Sequence, residues 1–527
     1  MMQALGAMEQ TVGWAAEDVP GCNDLQSLLV SIKRTSTSIE SDLDSGYQDV
    51  CLDNHSATPA TSKDSQESDA DSTDKDTNSD TESMRQAKDR RIHDESADEN
   101  VKQLLSAANE VNLLPNWSEL EKKERLEVVN GYIRQYFPNV PESLVANCSG
   151  SLLIPDDSGN LPSEVPDWLD KEKFARGQCL ARKNIFGIFF SNGLALYTLY
   201  SFEDGLKPVI MTGRSSDPYT SFKRFLSTAN RIRNWFTTDP WTKGTPAYND
   251  MQVVRSLHTS VRNTLQKMSV SEIDRLAKIK DPMAVRTDLL LKDFRASCPA
   301  PKVGQCPYAI PEMKGKRSRG LSQGEMGLTM FGFVGLPILF PEAFGIHYAS
   351  EKDLDDFCHL WRGLGYLLGI CDEFNFCRGG LKETRQRSRD FLDFWVKPNL
   401  REFRPELEHM MRCVYEGLHL YLPGSSYDSA LLYLADLMGL HMPRLRASMS
   451  YSSWFRYYLS KTLFYYLFKF NWIKLRLNRR LNTVIDRACA FNEEKHAELR
   501  KKSNEIVSAV LKNSHDDKSG DSYSTNL

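Results

Sequence analysis

The chain lacks the features that announce most common protein classes. Its 11 cysteines are odd in number, scattered, and never spaced as C-x-x-C, which argues against a disulfide framework and against a structural zinc site. No charge-free apolar run reaches the roughly 18 residues that a membrane span needs. The first thirty residues have no basic start and carry Glu9, Glu17, Asp18 and Asp24, so they do not read as a secretory signal. Gly-rich phosphate loops, G-x-S-x-G, H-E-x-x-H and kinase-type motifs are absent, as is regular hairpin punctuation. These absences point to a reducing, intracellular setting and exclude the commonest enzyme classes.

What is present divides unevenly. Of 527 residues, the first 100 carry 22 acidic and 8 basic side chains, a net of −14, while the remaining 427 carry 48 and 58, a net of +10. Residues 1–100 therefore read as a disordered acidic Ser-rich tail, because Ser, Asp and Thr bury too little apolar surface to offset the entropy of ordering. Within it, Leu25, Leu28, Leu29 and Ile32 suggest a short amphipathic docking segment. Residues 101–160 read as a helical lead-in, with Ser118 and Glu121 spaced as a capping box ahead of Leu126, Val129 and Tyr132. Apolar residues at helical spacing recur along 161–380 and again along 381–510, leaving 511–527 as a second disordered tail. The fold class is all-α.

Two helical segments carry the candidate chemistry. In the segment beginning Asn249-Asp250, Asn249 or Asp250 is expected to cap a helix with Pro246 just outside it. Val254, Leu257, Val261 and Leu265 form its apolar stripe, with His258 on the edge between Arg255 and Arg262. Two adjacent cations lower an imidazole's pKa and keep its lone pair available. Such a histidine is either a core residue bonded to a backbone carbonyl or a metal ligand with cations nearby for an anionic cofactor. In the other segment, Arg224 and Thr228 stand four apart on one helical face. They read equally as a solvated Arg and an ordinary helical Thr.

Five stretches occur in an order that resembles the rubber oxygenase, or latex-clearing-protein-like, family. They are Val165-Pro-Asp-Trp-Leu-Asp with Ala175-Arg-Gly-Gln; Lys223-Arg224-Phe-Leu-Ser-Thr228; Val254-Arg-Ser-Leu-His258-Thr-Ser-Val-Arg262; Ser322-Gln-x-Glu325-Met with Gly345-Ile; and Trp361-Arg-Gly-Leu-Gly. The likeness spans about 160–375 and implies an oxygenase-like catalytic domain over 161–380. It further implies a globin-related helical core holding one haem b, with His258 as the proximal iron ligand and Arg224 and Thr228 on the distal side. Cleavage of carbon–carbon double bonds by O₂, in an isoprenoid or other unsaturated lipid, is the implied reaction. Arg255 and Arg262 are candidates to meet the haem propionates by their positions beside His258. The chain departs from the family pattern in having Ser227 where some members carry a lysine. Its catalytic carboxylate has no clean counterpart either, Glu203 and Asp204 being the nearest candidates. A non-catalytic haem- or lipid-binding protein, or a helical scaffold with a regulatory acidic tail, are the alternatives.

In the C-terminal extension, 454–480 interleaves aromatic and basic residues, with Lys461, Lys469 and Lys474 interrupting any span. The segment reads either as an interfacial membrane helix or as an aromatic-rich core helix. No nucleic-acid motif accompanies the thinly spread positive charge of the body.

Overall fold

The computed structural model describes residues 120–153, 157–160, 163–302, 321–422, 424 and 426–520. The acidic tail, the Leu25–Ile32 docking segment, Ser118 and 521–527 lie outside the described residues. Among the described residues every regular element is helical, so the all-α expectation holds.

The first pair, α1 (Lys122–Tyr136) and α2 (Glu142–Leu153), packs side by side. α1 begins one capping register later than the Ser118 spacing implies: the Glu121 N–H donates to the Glu124 carboxylate at 2.9 Å. The centre of the molecule is built by α3 (Lys171–Lys183), α4 (Ile185–Leu199), α5 (Glu203–Met211), α6 (Pro218–Thr237) and α7 (Pro246–Gln266). The short α8 (Val270–Leu276) and α9 (Thr287–Ser297) follow, then α10 (Gln323–Thr329), α11 (Phe331–Leu339) and α12 (Glu351–Leu367). α13 (Leu381–Asp390) runs through a π turn at Phe391–Val396 into α14 (Lys397–Leu400), and α15 (Pro405–His419), α16 (Tyr427–Leu437) and α17 (Pro443–Ser448) complete the body. From 451 onward the chain forms three helices: α18 (Tyr451–Tyr465), α19 (Asn471–Cys489) and α20 (Glu493–Gly520). α20 covers 511–520, where a disordered tail was expected.

Three helix pairs dominate the packing: α3 on α12, α6 on α15, and α4 on α11. α4 is apolar nearly all round and sits in the middle, with Ile188, Leu194, Ala195 and Tyr197 fully buried. No single described helix is long and apolar enough to cross a membrane; only α4 with α5, bent by 108°, passes by length and composition. The expected division at 380 is not a structural boundary, because α15 packs on α6 and α16 on α4 across it.

The quoted motifs have clear packing roles. Asp170 caps α3 by accepting from the Lys173 N–H at 2.9 Å. Arg176 pairs with Asp356 of α12 at 2.7 Å, and Gln178 donates to the carbonyls of Trp235 and Thr238, clamping the end of α6. Gly177 lets α3 and α12 touch through backbone, since a Cβ there would fall 2.3 Å from the Asp356 carbonyl oxygen. Arg362 pairs with Asp372 at 2.6 Å and lies over the Trp168 ring at 3.9 Å. The cysteines at 371 and 377 are buried and form no disulfide.

Gly177→Ala is expected to lower stability by about 2 kcal/mol, the usual cost of overpacking a close contact. Gly131→Ala, at an open helical position with nothing within 4 Å of the new methyl, is expected to be neutral or stabilising by about 0.5 kcal/mol. Urea unfolding of the two variants checks both.

Candidate functional site

α6 and α7 are joined by the short link 238–245, and this connection folds them back on one another. Asp250 fastens the pair: its carboxylate accepts from Asn234 Nδ2 at 2.8 Å and pairs with Arg231 at 3.4 Å. Asp250 is free to do so because α7 starts earlier than its sequence suggests. Thr245 is the cap, accepting from the Tyr248 N–H at 3.1 Å, and Pro246 is the first helical residue rather than lying outside. Asn249 and Asp250 are therefore inside the helix. Arg224 and His258 lie equally far along the chain from the middle of the link, so the hairpin brings them to one level.

Both face a cavity of about 1520 Å³. Its wall is mostly apolar and draws on both sides of residue 380, including Trp235, Phe333 and Trp361 before it and Trp395, Val414 and Leu463 after it. Arg224, Thr228, His258, Glu203, Asp204 and Glu325 supply polar groups to the same wall. The π turn contributes Phe391, Phe394 and Trp395, an irregularity of the kind that often adjoins a site.

His258 is deep in the protein yet keeps accessible surface, and that surface is cavity wall. Its Nδ1 is shut off from solvent and has no hydrogen-bond partner. An ordinary core histidine bonded to a backbone carbonyl does not look like this. Burial, with Arg262 and then Arg224 adding like charge, lowers the imidazole pKa to about 4, against a weaker pull from Asp157. The ring is neutral at physiological pH. By contrast His347 contacts the Phe464 carbonyl at 2.6 Å, His359 contacts the backbone of Asp170 at 3.1 Å, and His409 accepts from the Met283 N–H at 3.0 Å. Among the described residues no group of three or more His, Cys, Asp or Glu is placed to hold a metal ion.

Arg224 donates to Ser215 Oγ at 3.2 Å and has no carboxylate partner among the described residues. Thr228 donates to the Arg224 carbonyl at 3.0 Å. Ser227 accepts from Arg231. Arg255 and Arg262, expected to face an anionic cofactor, are not on the cavity wall. Arg255 forms a two-pronged pair with Asp157 and also donates to the Asn160 carbonyl at 2.7 Å. Arg262 is buried and donates to the Leu321 carbonyl at 3.0 Å. The cation that depresses His258 from across the hairpin is thus Arg224, while Arg255 is neutralised by a residue far away in sequence.

Glu203 does line the cavity but is committed to Lys207, at 2.7 Å, and to Arg404. Burial alone would raise its pKa; the two cations prevail and hold it below the usual carboxylate value. The carboxyl that sequence reasoning missed is Glu325, which belongs to the quoted Ser322-x-x-Glu325 stretch. It closes a capping box on Ser322, accepting from its N–H and its hydroxyl at 2.9 Å each. Burial, with Asp204 adding like charge, lifts Glu325 to about 7 against the pull of those hydrogen bonds. The capping-box spacing was the available signal, but it announces a helix start and says nothing of a cavity.

Comparison with family models, curated proteins and solved structures finds no match for the chain.

His258 and Glu325 bias stability in opposite directions with pH in the cofactor-free protein. The depressed His258 favours the native state above its unfolded value near 6.5, and that contribution is lost as pH falls towards 4. The raised Glu325 contributes below its unfolded value near 4.5, and that is lost as pH rises through 7. Urea midpoints between pH 4 and 7 are expected to fall with rising pH more in His258→Gln than in wild type, and to rise more in Glu325→Gln.

Proposed function

We propose that this chain is a haem b-dependent oxygenase with a globin-like helical core, acting on a carbon–carbon double bond of an isoprenoid or other unsaturated lipid. The observation that carries the reading is a neutral His258, its Nδ1 without a hydrogen-bond partner, on the same cavity wall as Arg224, an arginine with no carboxylate partner among the described residues. A haem fits these residues: the single histidine is the ligand it requires, and the chamber exceeds the roughly 300–1,000 Å³ of ordinary small-molecule pockets, leaving room for a chain-like substrate. His258 would hold the iron. With Arg255 and Arg262 tied to protein groups, the propionates would fall to other cations of the wall, of which Arg214 and Lys223 make no salt bridge among the described residues. When bound, the haem supplies the activation of O₂.

The protein's own part follows from its side chains. Arg224, held by Ser215, keeps a fixed positive charge in a largely apolar chamber, where it stabilises negative charge as it develops on oxygen. Thr228 offers a hydroxyl one turn along the same helix. Glu325 Oε, poised near neutrality, can hold or release a proton, a role that Glu203 cannot fill between Lys207 and Arg404. The aromatic wall offers an apolar chain a surface to lie against. A lipid-binding protein without catalysis is the second reading, favoured by the commitment of Glu203 to its cations. A peripheral position on an intracellular membrane suits either lipid.

Purified protein is expected to show a Soret band that His258→Ala abolishes and that Arg224→Ala and Arg255→Ala retain. Full haem in His258→Ala would overturn the assignment. Oxygen uptake with a prenylated substrate should fall about 100-fold or more in Arg224→Ala. In Glu325→Gln the inflection of its rate–pH profile near pH 7 should disappear.

A further inference from the structure

The α18–α19 region combines three properties that the cavity chemistry leaves unused. The first is composition: residues 451–480 contain seven Lys and Arg, no Asp or Glu, and eleven aromatic residues. The second is exposure. Tyr451 is 89% exposed, Tyr466 65%, and Phe455, Tyr458, Phe470 and Trp472 about half. Tyr451, Phe455 and Tyr458 fall on one stripe of α18, at spacings of four and three. This is a concentration of large apolar groups, whereas scattered single exposures would need no explanation. The third is continuity with the cavity. Leu459 is exposed on the same stripe and also lines the chamber, next to Ser460 and Leu463 on the adjacent flank. The opposite side of α19 reaches the chamber through Leu481 and Ile485.

We propose that this face seats on an anionic bilayer surface, with Tyr451, Phe455, Tyr458, Tyr466, Phe470 and Trp472 at the headgroup level and Leu459 at the passage from membrane to cavity. Aromatic residues with basic neighbours on a helix that does not span are what such a surface selects. Lys461 and Lys474 are spent internally, on Asp436 at 3.2 Å and on Asn184 at 3.1 Å. Lys469 and Arg480 are exposed and make no salt bridge among the described residues, so their charge is available to lipid phosphates. Tyr348, 73% exposed, donates to the Lys469 carbonyl at 3.1 Å and widens the aromatic face. A second copy of the chain is a poor occupant, because two-fold pairing sets this one-signed surface against itself. The passage deepens the proposed function by giving an apolar substrate a route that avoids water; the docking itself does not depend on it.

Flotation of the full-length chain with phosphatidylcholine vesicles, with and without phosphatidylserine, tests the inference. The protein is expected to rise with the phosphatidylserine vesicles and to be released as salt increases from about 0.1 M to about 1 M. The combined substitution Phe455→Ser, Phe470→Ser, Trp472→Ser should cut the bound fraction about tenfold, as should Lys469→Glu with Arg480→Glu. Because all five positions are exposed, the melting curves should be unchanged. Failure to float with phosphatidylserine vesicles, or equal binding by the aromatic variant, overturns the proposal. So do carbodiimide cross-links from the acidic residues of 60–82 to Lys469 that vesicles fail to displace, since they identify the tail as occupant. Vesicle binding requires neither haem nor turnover, so this proposal and the oxygenase reading can fail separately.

Discussion

The tie between Asp250 and its two partners on α6 is the contact on which the site depends. It lies near the link, where small changes in the meeting of two helices are amplified along their length. Arg231 and Asn234 hold α6 to the first turns of α7, and from there the regular rise of both helices carries Arg224 and His258 to the same depth. Gln178 adds a second constraint by gripping the carbonyls at the end of α6. Arg224 and His258 are thus positioned by contacts at the chamber's edge, Arg231 and Trp235 belonging to the wall itself, and neither is consumed in making them.

The electrostatics of the chamber follow from which charges are answered and which are not. Glu203 is answered twice, by Lys207 and Arg404, and Arg255 is answered by Asp157. Among the described residues Arg224 has no carboxylate partner and His258 feels only a weak pull from Asp157, while Glu325 is held by neutral donors from Ser322. A low-dielectric chamber penalises each ionised group, so the histidine sheds its proton and the carboxyl tends to keep one. The arginine cannot neutralise itself in this way and remains the fixed charge.

Local pattern carried a good deal of this into the sequence. Apolar spacing marks α6, α7 and α12, and the separation of 34 between Arg224 and His258 fits the pattern of the family that the chain resembles. What could not be read depends on distant partners. Pro246 is compatible with a position just before a helix or at its first residue, and only the Thr245 cap decides. Whether Arg255 faces the cavity depends on Asp157, which belongs to another part of the chain. Glu325 carries the spacing of a helix start, and its burial beside Asp204 is a property of the assembled body. In the aromatic C-terminal segment one flank of α18 is core and the opposite flank is exposed, a division that depends on how the helix packs in the assembled body.

A chamber of about 1520 Å³ also has a volumetric consequence. Whatever part of that space bulk water cannot fill is lost on unfolding, and to that extent hydrostatic compression favours the unfolded state. A ligand that occupies the chamber removes that advantage and, by binding only the native form, adds its own free energy to stability. Barotolerance of this fold is therefore a property shared between the polypeptide and its guest.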